Sequence, residues 1–284
     1  MKIFCYFHSD DLDGWSSSAI VSKKHQNDEI EFYGYNYEDE IKLVTGYDIV
    51  YMVDCSTTSE NMKFLIENNK KFIWIDHHAQ KIWQVIEEIK DPILGLRDKE
   101  NIHSACVLTW KYLYPKKPVP TILKYIEDVD LWKWEMKDTD EITTSLDLDC
   151  KKDREMLKNF FNENVWKSVI NIIIENGRKY INMRTKQIKE IMKNTVIVHW
   201  GGYRTAVINT PIHKSHTGDA ILKKYMDINI VLIWSYNKDK VLCSLRSSDV
   251  DVAKIADKYG GGGHRLAAGF RCDLRFIRQI IRKY

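Results

Sequence analysis

The chain is poor in the features that mark several large classes of protein. It has only five prolines in 284 residues, no low-complexity tract and no internal repeat, so a disordered or fibrous chain is excluded. No segment approaches the ~18 consecutive apolar residues of a membrane span. MKIFCYFHSDD passes from a strand-like run straight into a charged turn, so no signal-peptide apolar region is expected there. The six cysteines, Cys5, Cys55, Cys106, Cys150, Cys243 and Cys272, show no C-x-x-C spacing. That argues against a thiolate zinc or redox motif and for unpaired core thiols in a reducing cytoplasm. Net charge is only +3, too little for a broadly basic surface that grips long nucleic acid.

What is present is a globular composition, 44% hydrophobic and 29% charged, in a chain long enough to bury two cores. Up to about residue 80, strand-like runs (IFCYF at 3–7, EIEFYGY, DIVYMVD at 48–54, KFIWIDHH at 71–78) alternate with helical stretches at 16–24 and 60–68. That interval predicts right-handed crossovers and a mainly parallel sheet. Helices are expected over 103–114 and 120–129, and one extended helix, or two joined at Gly177, over about 162–193. TVIVHW, YRTAVIN, INIVLIWSY and KVLCSLRS then read as strands, with helices near 219–225 and 252–259. The expected organisation is an α/β N-terminal domain with a parallel sheet over 1–160, a helical connector over 161–194 and a smaller mixed-sheet α/β domain over 195–284.

In such a sheet, polar residues at the carboxyl ends of strands face a common crevice. Here one strand end carries His8, Asp11 and Asp13, a second Asp54, and a third Asp76, His77 and His78. The Asp-x-Asp-Gly of 11–14 suits two neighbouring metal positions, and equally an ordinary turn with an aspartate N-cap. Two adjacent imidazoles behind the apolar run FIWI are harder to explain without a metal or substrate. Mixed nitrogen and oxygen donors without thiolate favour Mn²⁺ over structural zinc. Near the C-terminus, Gly260 to Gly263 could bring backbone N–H groups close to an anion, with His264 and Arg265 at the rim and Arg246 opposite. Trp132 and Trp134 suit base stacking, although aromatics beside a helix end are more often core. Ser104 suits a phosphate contact or a helix cap, and Ser215, His216 and Gly218 read as a loop.

Taken together, the H-x-x-D-x-D-G of 8–14, the lone Asp54, the Asp76-His77-His78 triplet and the GGGGHRLAAG of 260–269 resemble the DHH family of phosphoesterases with the associated DHHA1 domain. The resemblance implies a dinuclear centre with two Mn²⁺ ions, Mg²⁺ or Co²⁺ being substitutes. One ion would be held by His8, Asp11 and Asp54, with Asp10 the alternative to Asp11. The other would be held by Asp13, a bridging Asp54, His77 and a downstream aspartate, Asp128, with Asp130 the competitor. His78 would contact the phosphate, Asp76 would orient imidazoles, and Ser104, Arg246, Gly261, Gly262, Gly263, His264 and Arg265 would bind substrate. The implied reaction is hydrolysis of a phosphodiester by a metal-activated hydroxide on short single-stranded RNA or DNA. Cyclic dinucleotides and 3′-phosphoadenosine 5′-phosphate are alternative substrates, a non-catalytic nucleotide sensor is the alternative class, and a homodimer is compatible with either.

Overall fold

The structure, a computed structural model, describes residues 1–36, 40–89, 93–237 and 240–281. It divides into two compact units, Met1–Ile181 and Asn182–Tyr284. The first unit opens with β1 (Lys2–His8), α1 (Leu12–Lys24), β2 (Glu29–Tyr35), β3 (Ile49–Val53), α2 (Ser59–Glu67), β4 (Phe72–Ile75) and α3 (Ala79–Glu88). Helices follow: α4 (Ala105–Leu113), α5 (Thr121–Asp130), α6 (Thr139–Asp149), α7 (Arg154–Phe160) and α8 (Glu163–Met192). The strands form one sheet in the order β2-β1-β3-β4, with every pairing parallel.

Both faces of that sheet are covered, which is why its strands read as unbroken apolar runs. Ile3, Cys5, Phe7, Tyr51 and Val53 pack on one side with Ala19 and Ile20 of α1 and Val107 and Trp110 of α4. Phe4, Tyr6, Val50 and Met52 pack on the other with Met62 and Leu65 of α2 and Ile82 of α3. Because all four strands run the same way, the polar residues that follow β1, β3 and β4 emerge at one edge.

The second unit follows the end of α8 with β5 (Val196–Trp200), β6 (Tyr203–Asn209), α9 (Lys214–Lys224), β7 (Ile230–Asn237), β8 (Lys240–Arg246), α10 (Val252–Asp257), β9 (Gly262–His264), β10 (Ala267–Cys272) and α11 (Leu274–Ile281). Its sheet runs β5-β6-β7-β8-β10-β9 and is mixed, with β6 and β7 parallel and the other pairs antiparallel. Val207, Leu232, Leu245 and Phe270 face Val252 and Ala256 of α10 and Ile277 of α11. Ala206, Ile208, Val231 and Ile233 face Ile221 of α9.

Two segments differ from the expectation. Ser215, His216 and Gly218, read as loop, lie in the first turns of α9, whose N-cap His213 is left-handed at φ 52° and accepts the N–H of Thr217 through its carbonyl. The glycine run, read as a turn, is partly strand: Gly262 pairs with Gly269 and His264 with Ala267. A Cβ on Gly261 would lie 2.1 Å from the Gly269 carbonyl oxygen, so glycine there permits a close backbone approach.

Between 163 and 192 there is one helix and no joint at Gly177. A Cβ at Gly177 would stand 1.9 Å from the Glu141 carbonyl oxygen of α6, so this glycine brings two helix backbones together. Alanine usually improves a helix interior by about 1 kcal/mol over glycine. Here the added methyl meets backbone, and overpacking of about 1–3 kcal/mol wins. Gly177→Ala therefore lowers the unfolding temperature in a calorimetric scan; an increase would contradict this packing.

Candidate metal centre

His8 ends β1, and Asp11 caps α1, its Oδ1 accepting the N–H of Gly14 at 3.0 Å. The second oxygen of Asp11 lies 2.8 Å from His8 Nδ1, so one carboxylate both caps the helix and faces the imidazole. Gly14 sits within α1, where a Cβ would fall 2.0 Å from the His8 carbonyl oxygen. This glycine serves a close approach of helix to strand end, in place of the sharp turn the sequence suggests.

Asp13 is buried in the first turn of α1. Its two oxygens accept the N–H groups of Ala105, at 2.7 Å, and Cys106, at 2.9 Å, at the start of α4. Those amides have no partner within their own helix, and the helix dipole favours a negative charge there. Ser104, just before them, is fully buried; its Oγ lies 3.3 Å from Cys106 Sγ and its N–H donates to Glu127.

Asp54 follows β3 at φ 57°, a left-handed conformation costing an L-residue about 1–2 kcal/mol. Its N–H still donates to Ile75, which holds the residue against β4. The side chain is 1% exposed, and among the described residues neither oxygen accepts a hydrogen bond. Oδ2 lies 3.6 Å from His8 Nδ1 and Oδ1 lies 3.3 Å from His77 Nε2.

The imidazoles after β4 are each oriented through Nδ1. His77 Nδ1 lies 3.0 Å from the amide oxygen of Asn101. That oxygen can only accept, so Nδ1 carries the proton and Nε2 presents its lone pair to Asp54, to Asp130 at 3.5 Å and to Asp13 at 3.8 Å. A lone pair facing three carboxylates is stable only with a proton or a metal cation between them. His78 Nδ1 donates to the fully buried Asp76 at 2.7 Å, and Asp76 also accepts the backbone N–H groups of His77 and His78. With Nδ1 so engaged, Nε2 is the atom through which His78 can meet a ligand.

Electrostatics report the same crowding. Burial, helped by Asp54, pushes the Asp13 carboxyl up to about 7. Burial also pushes Asp130 well up against the opposing pull of His77. It works against ionisation of Asp54 too, yet His77 and His8 hold that carboxyl far below the usual range. Burial disfavours charge on His8, but Asp11 and Asp54 outweigh it and raise the imidazole to about 12.

Among the described residues, three groupings with ligand atoms within 4.8 Å result: His8, Asp11 and Asp54; Asp13, His77 and Asp130; and Asp54, His77 and His78. Asp128 is not among them. Buried in α5, its carboxylate accepts the N–H groups of Glu135 at 2.9 Å and Met136 at 3.1 Å and the hydroxyl of Thr139, so Asp130 stands where Asp128 was expected. Asn101 was not anticipated from the sequence; it sits at a left-handed φ of 58°, which asparagine tolerates.

Of the candidates of the second unit, Arg246 meets the start of α9. Arg246, Ala267 and His264 lie in register across β8, β10 and β9, hence on one face of the sheet. Arg246 donates to Ser215 Oγ at 2.8 Å, and the absent side chain of Gly218 makes room for its Cβ and Cγ. Arg265 is exposed and donates to the Asp249 carbonyl oxygen at 2.7 Å.

The chain is 27% identical over 86% of its length to the uncharacterized protein R106 of Acanthamoeba polyphaga mimivirus, of which it spans 57%. It is 22% identical over 93% of its length to the oligoribonuclease NrnB of Bacillus subtilis strain 168, spanning 71% of that protein. Among solved structures, RecJ of Thermus thermophilus in complex with Mn²⁺ superposes with a TM-score of 0.58 at 13% identity, over 98% of this chain and 50% of that one, a likeness of fold. No helix among the described residues is long and apolar enough to cross a membrane. The model of the DHH family N-terminal domain matches residues 2–131 and that of the DHHA1 domain residues 208–283, so the chain carries a DHH family N-terminal domain in its first unit and a DHHA1 domain in its second.

Proposed function

We propose that the protein is a Mn²⁺-dependent phosphodiesterase that hydrolyses short single-stranded oligonucleotides at a two-metal centre. The observation that carries this reading is Asp54, a buried carboxylate whose two oxygens face His8 on one side and His77 on the other. One ion fits His8, Asp11 and Asp54, and the second fits Asp13, Asp54, His77 and Asp130. Four carboxylates match the charge of two divalent cations, and the hard oxygen donors with imidazole suit manganese or magnesium. Such a pair, when bound, acidifies water and neutralises charge on a phosphate.

The chain's own groups supply the rest. Asn101 keeps the His77 proton on Nδ1, and the α4 amides fix the Asp13 oxygens. With Nδ1–H held by Asp76, His78 in its imidazolium form donates Nε2–H to the phosphate or to the departing oxygen. In the second unit, Arg246, His264 and the glycine run form the grip on substrate, with Arg265 at its rim. The choice of oligonucleotide among phosphate esters is supported by the oligoribonuclease relative, whose match reaches across both units.

Replacing groups that merely orient metal ligands costs about 10–100-fold, so loss of a ligand costs more than about a hundredfold. Asp54→Ala, His77→Ala and Asp130→Asn are expected to lose turnover of a two- to five-nucleotide RNA by at least that factor, together with bound Mn²⁺. Asp128→Asn keeps its metal but unfolds at a lower temperature. Unchanged turnover in both Asp54→Ala and His77→Ala would overturn the assignment.

Stability carries a second signature. The Asp13 carboxyl titrates near 7 in the fold against an ordinary 3.8, so the folded chain binds more protons across that interval and stability falls as pH rises through it. His8, raised from 6.5 to about 12, has the same sign above 6.5. The metal-free protein therefore melts at a lower temperature at about pH 8 than at about pH 5, and saturating Mn²⁺ reverses the trend because the ions replace the protons. A metal-free protein that melts higher at pH 8 would contradict the crowding of carboxylates.

A further inference from the structure

We infer that the turn after α5 is a seat for a nucleobase of the substrate, with Trp132 as its stacking face. The inference rests on the phosphodiesterase reading and adds the group that holds a base beside the scissile phosphate.

The backbone of this turn is unusual. Trp132 has φ 55° and Trp134 has φ 58°, the left-handed region where bulky L-residues are rare and where a connecting turn would ordinarily place glycine or asparagine. Such strain persists only where surrounding contacts enforce it, and it concentrates at functional sites. The enforcing group is Asp128. Its carbonyl oxygen accepts the N–H of Lys133 at 2.8 Å, and its carboxylate accepts those of Glu135 and Met136 and the Thr139 hydroxyl. A buried aspartate is thus committed to holding a turn that merely has to join α5 to α6.

What the turn displays is aromatic. Trp132 is 40% exposed, and its ring meets that of Trp134 edge-on, with centroids 4.8 Å apart and planes at 80°. A core tryptophan would be far more enclosed, as Trp74 and Trp166 are in the same unit. The edge-on contact steadies the outer ring.

The turn is also tied to the metal centre from two directions. Asp130, two residues earlier, places Oδ2 3.5 Å from His77 Nε2. Lys133, between the tryptophans, donates to the Ile102 carbonyl oxygen at 3.0 Å, and Ile102 adjoins Asn101, the partner of His77. Cationic groups accompany it: Lys133 Nζ lies 3.7 Å from Glu127, which accepts from His103 Nδ1, and Lys111 donates to His103 Nε2. An aromatic face, lysines and a dinuclear centre on one short path match the base, phosphate and scissile bond of a nucleotide. Stacking tolerates any base, because every base has a π-face.

The test is binding of a non-hydrolysable, methylenephosphonate-linked diadenylate to the Mn²⁺-loaded full chain, beside an abasic analogue of the same backbone. Trp132→Ala is expected to weaken the diadenylate about tenfold while leaving the abasic analogue unchanged, and Trp132→Phe to recover most of the loss. Trp132→Ala that binds diadenylate like the wild type, or that weakens both analogues equally, would overturn the seat, as would a wild type that binds neither. Unfolding temperatures of both variants show that the fold is intact. Turnover of ordinary diadenylate by the wild type separates the two readings: turnover with Trp132-independent affinity sinks the seat alone. Trp132-dependent affinity without turnover sinks the phosphodiesterase reading and supports the seat.

Discussion

Mutual repulsion among Asp13, Asp54 and Asp130 around the single imidazole of His77 is the interaction on which the rest of the first unit depends. Two like charges about 4 Å apart repel by about 4 kcal/mol at an effective dielectric constant of 20. Folding therefore has to force these groups together, and every neighbouring element contributes. The parallel sheet brings Asp54 and His77 to one edge, the start of α4 neutralises part of the Asp13 charge, and Asp54 accepts a left-handed backbone to reach its place. Negative charge concentrated in this way attracts cations.

The supports matter as much as the ligands. Asp76 is fully buried, yet it accepts two backbone amides and the His78 ring nitrogen, so its charge is spent on orientation. Asp98 does similar work in the next loop, accepting the N–H groups of Glu100, Ile102 and His103 and so setting the stretch that carries Asn101. On α5, Asp128 holds the tryptophan turn while Asp130 faces His77. Asp76, Asp98 and Asp128 thus serve as supports, Asp54 accepts no hydrogen bond among the described residues, and Asp11 and Asp13 do both, receiving backbone amides while facing His8 and His77.

That division explains what the sequence disclosed and what it withheld. The four parallel strands were legible because burial on both faces makes continuous apolar runs, and the polar residues that end three of them followed at once. Asp128 and Asp130 were not separable, since two residues on a helix are about 200° apart and only the packing of α5 decides which side meets His77. Asn101 lies in a loop fixed by long-range hydrogen bonds, with no periodicity to reveal it. The start of α9 was hidden because KSHTG lacks an apolar stripe, and β9 because glycines read as a turn when the strand pairing that fixes them is out of view.

In the proposed reading Asp54 is shared by two cations. Electron paramagnetic resonance of the protein titrated with Mn²⁺ reports that sharing. Two ions per chain with a spin-coupled signal, reduced to uncoupled ions in Asp54→Ala, are what a shared carboxylate predicts. Fewer than about one ion bound per chain at saturation, or two ions without magnetic coupling in the wild type, would contradict it.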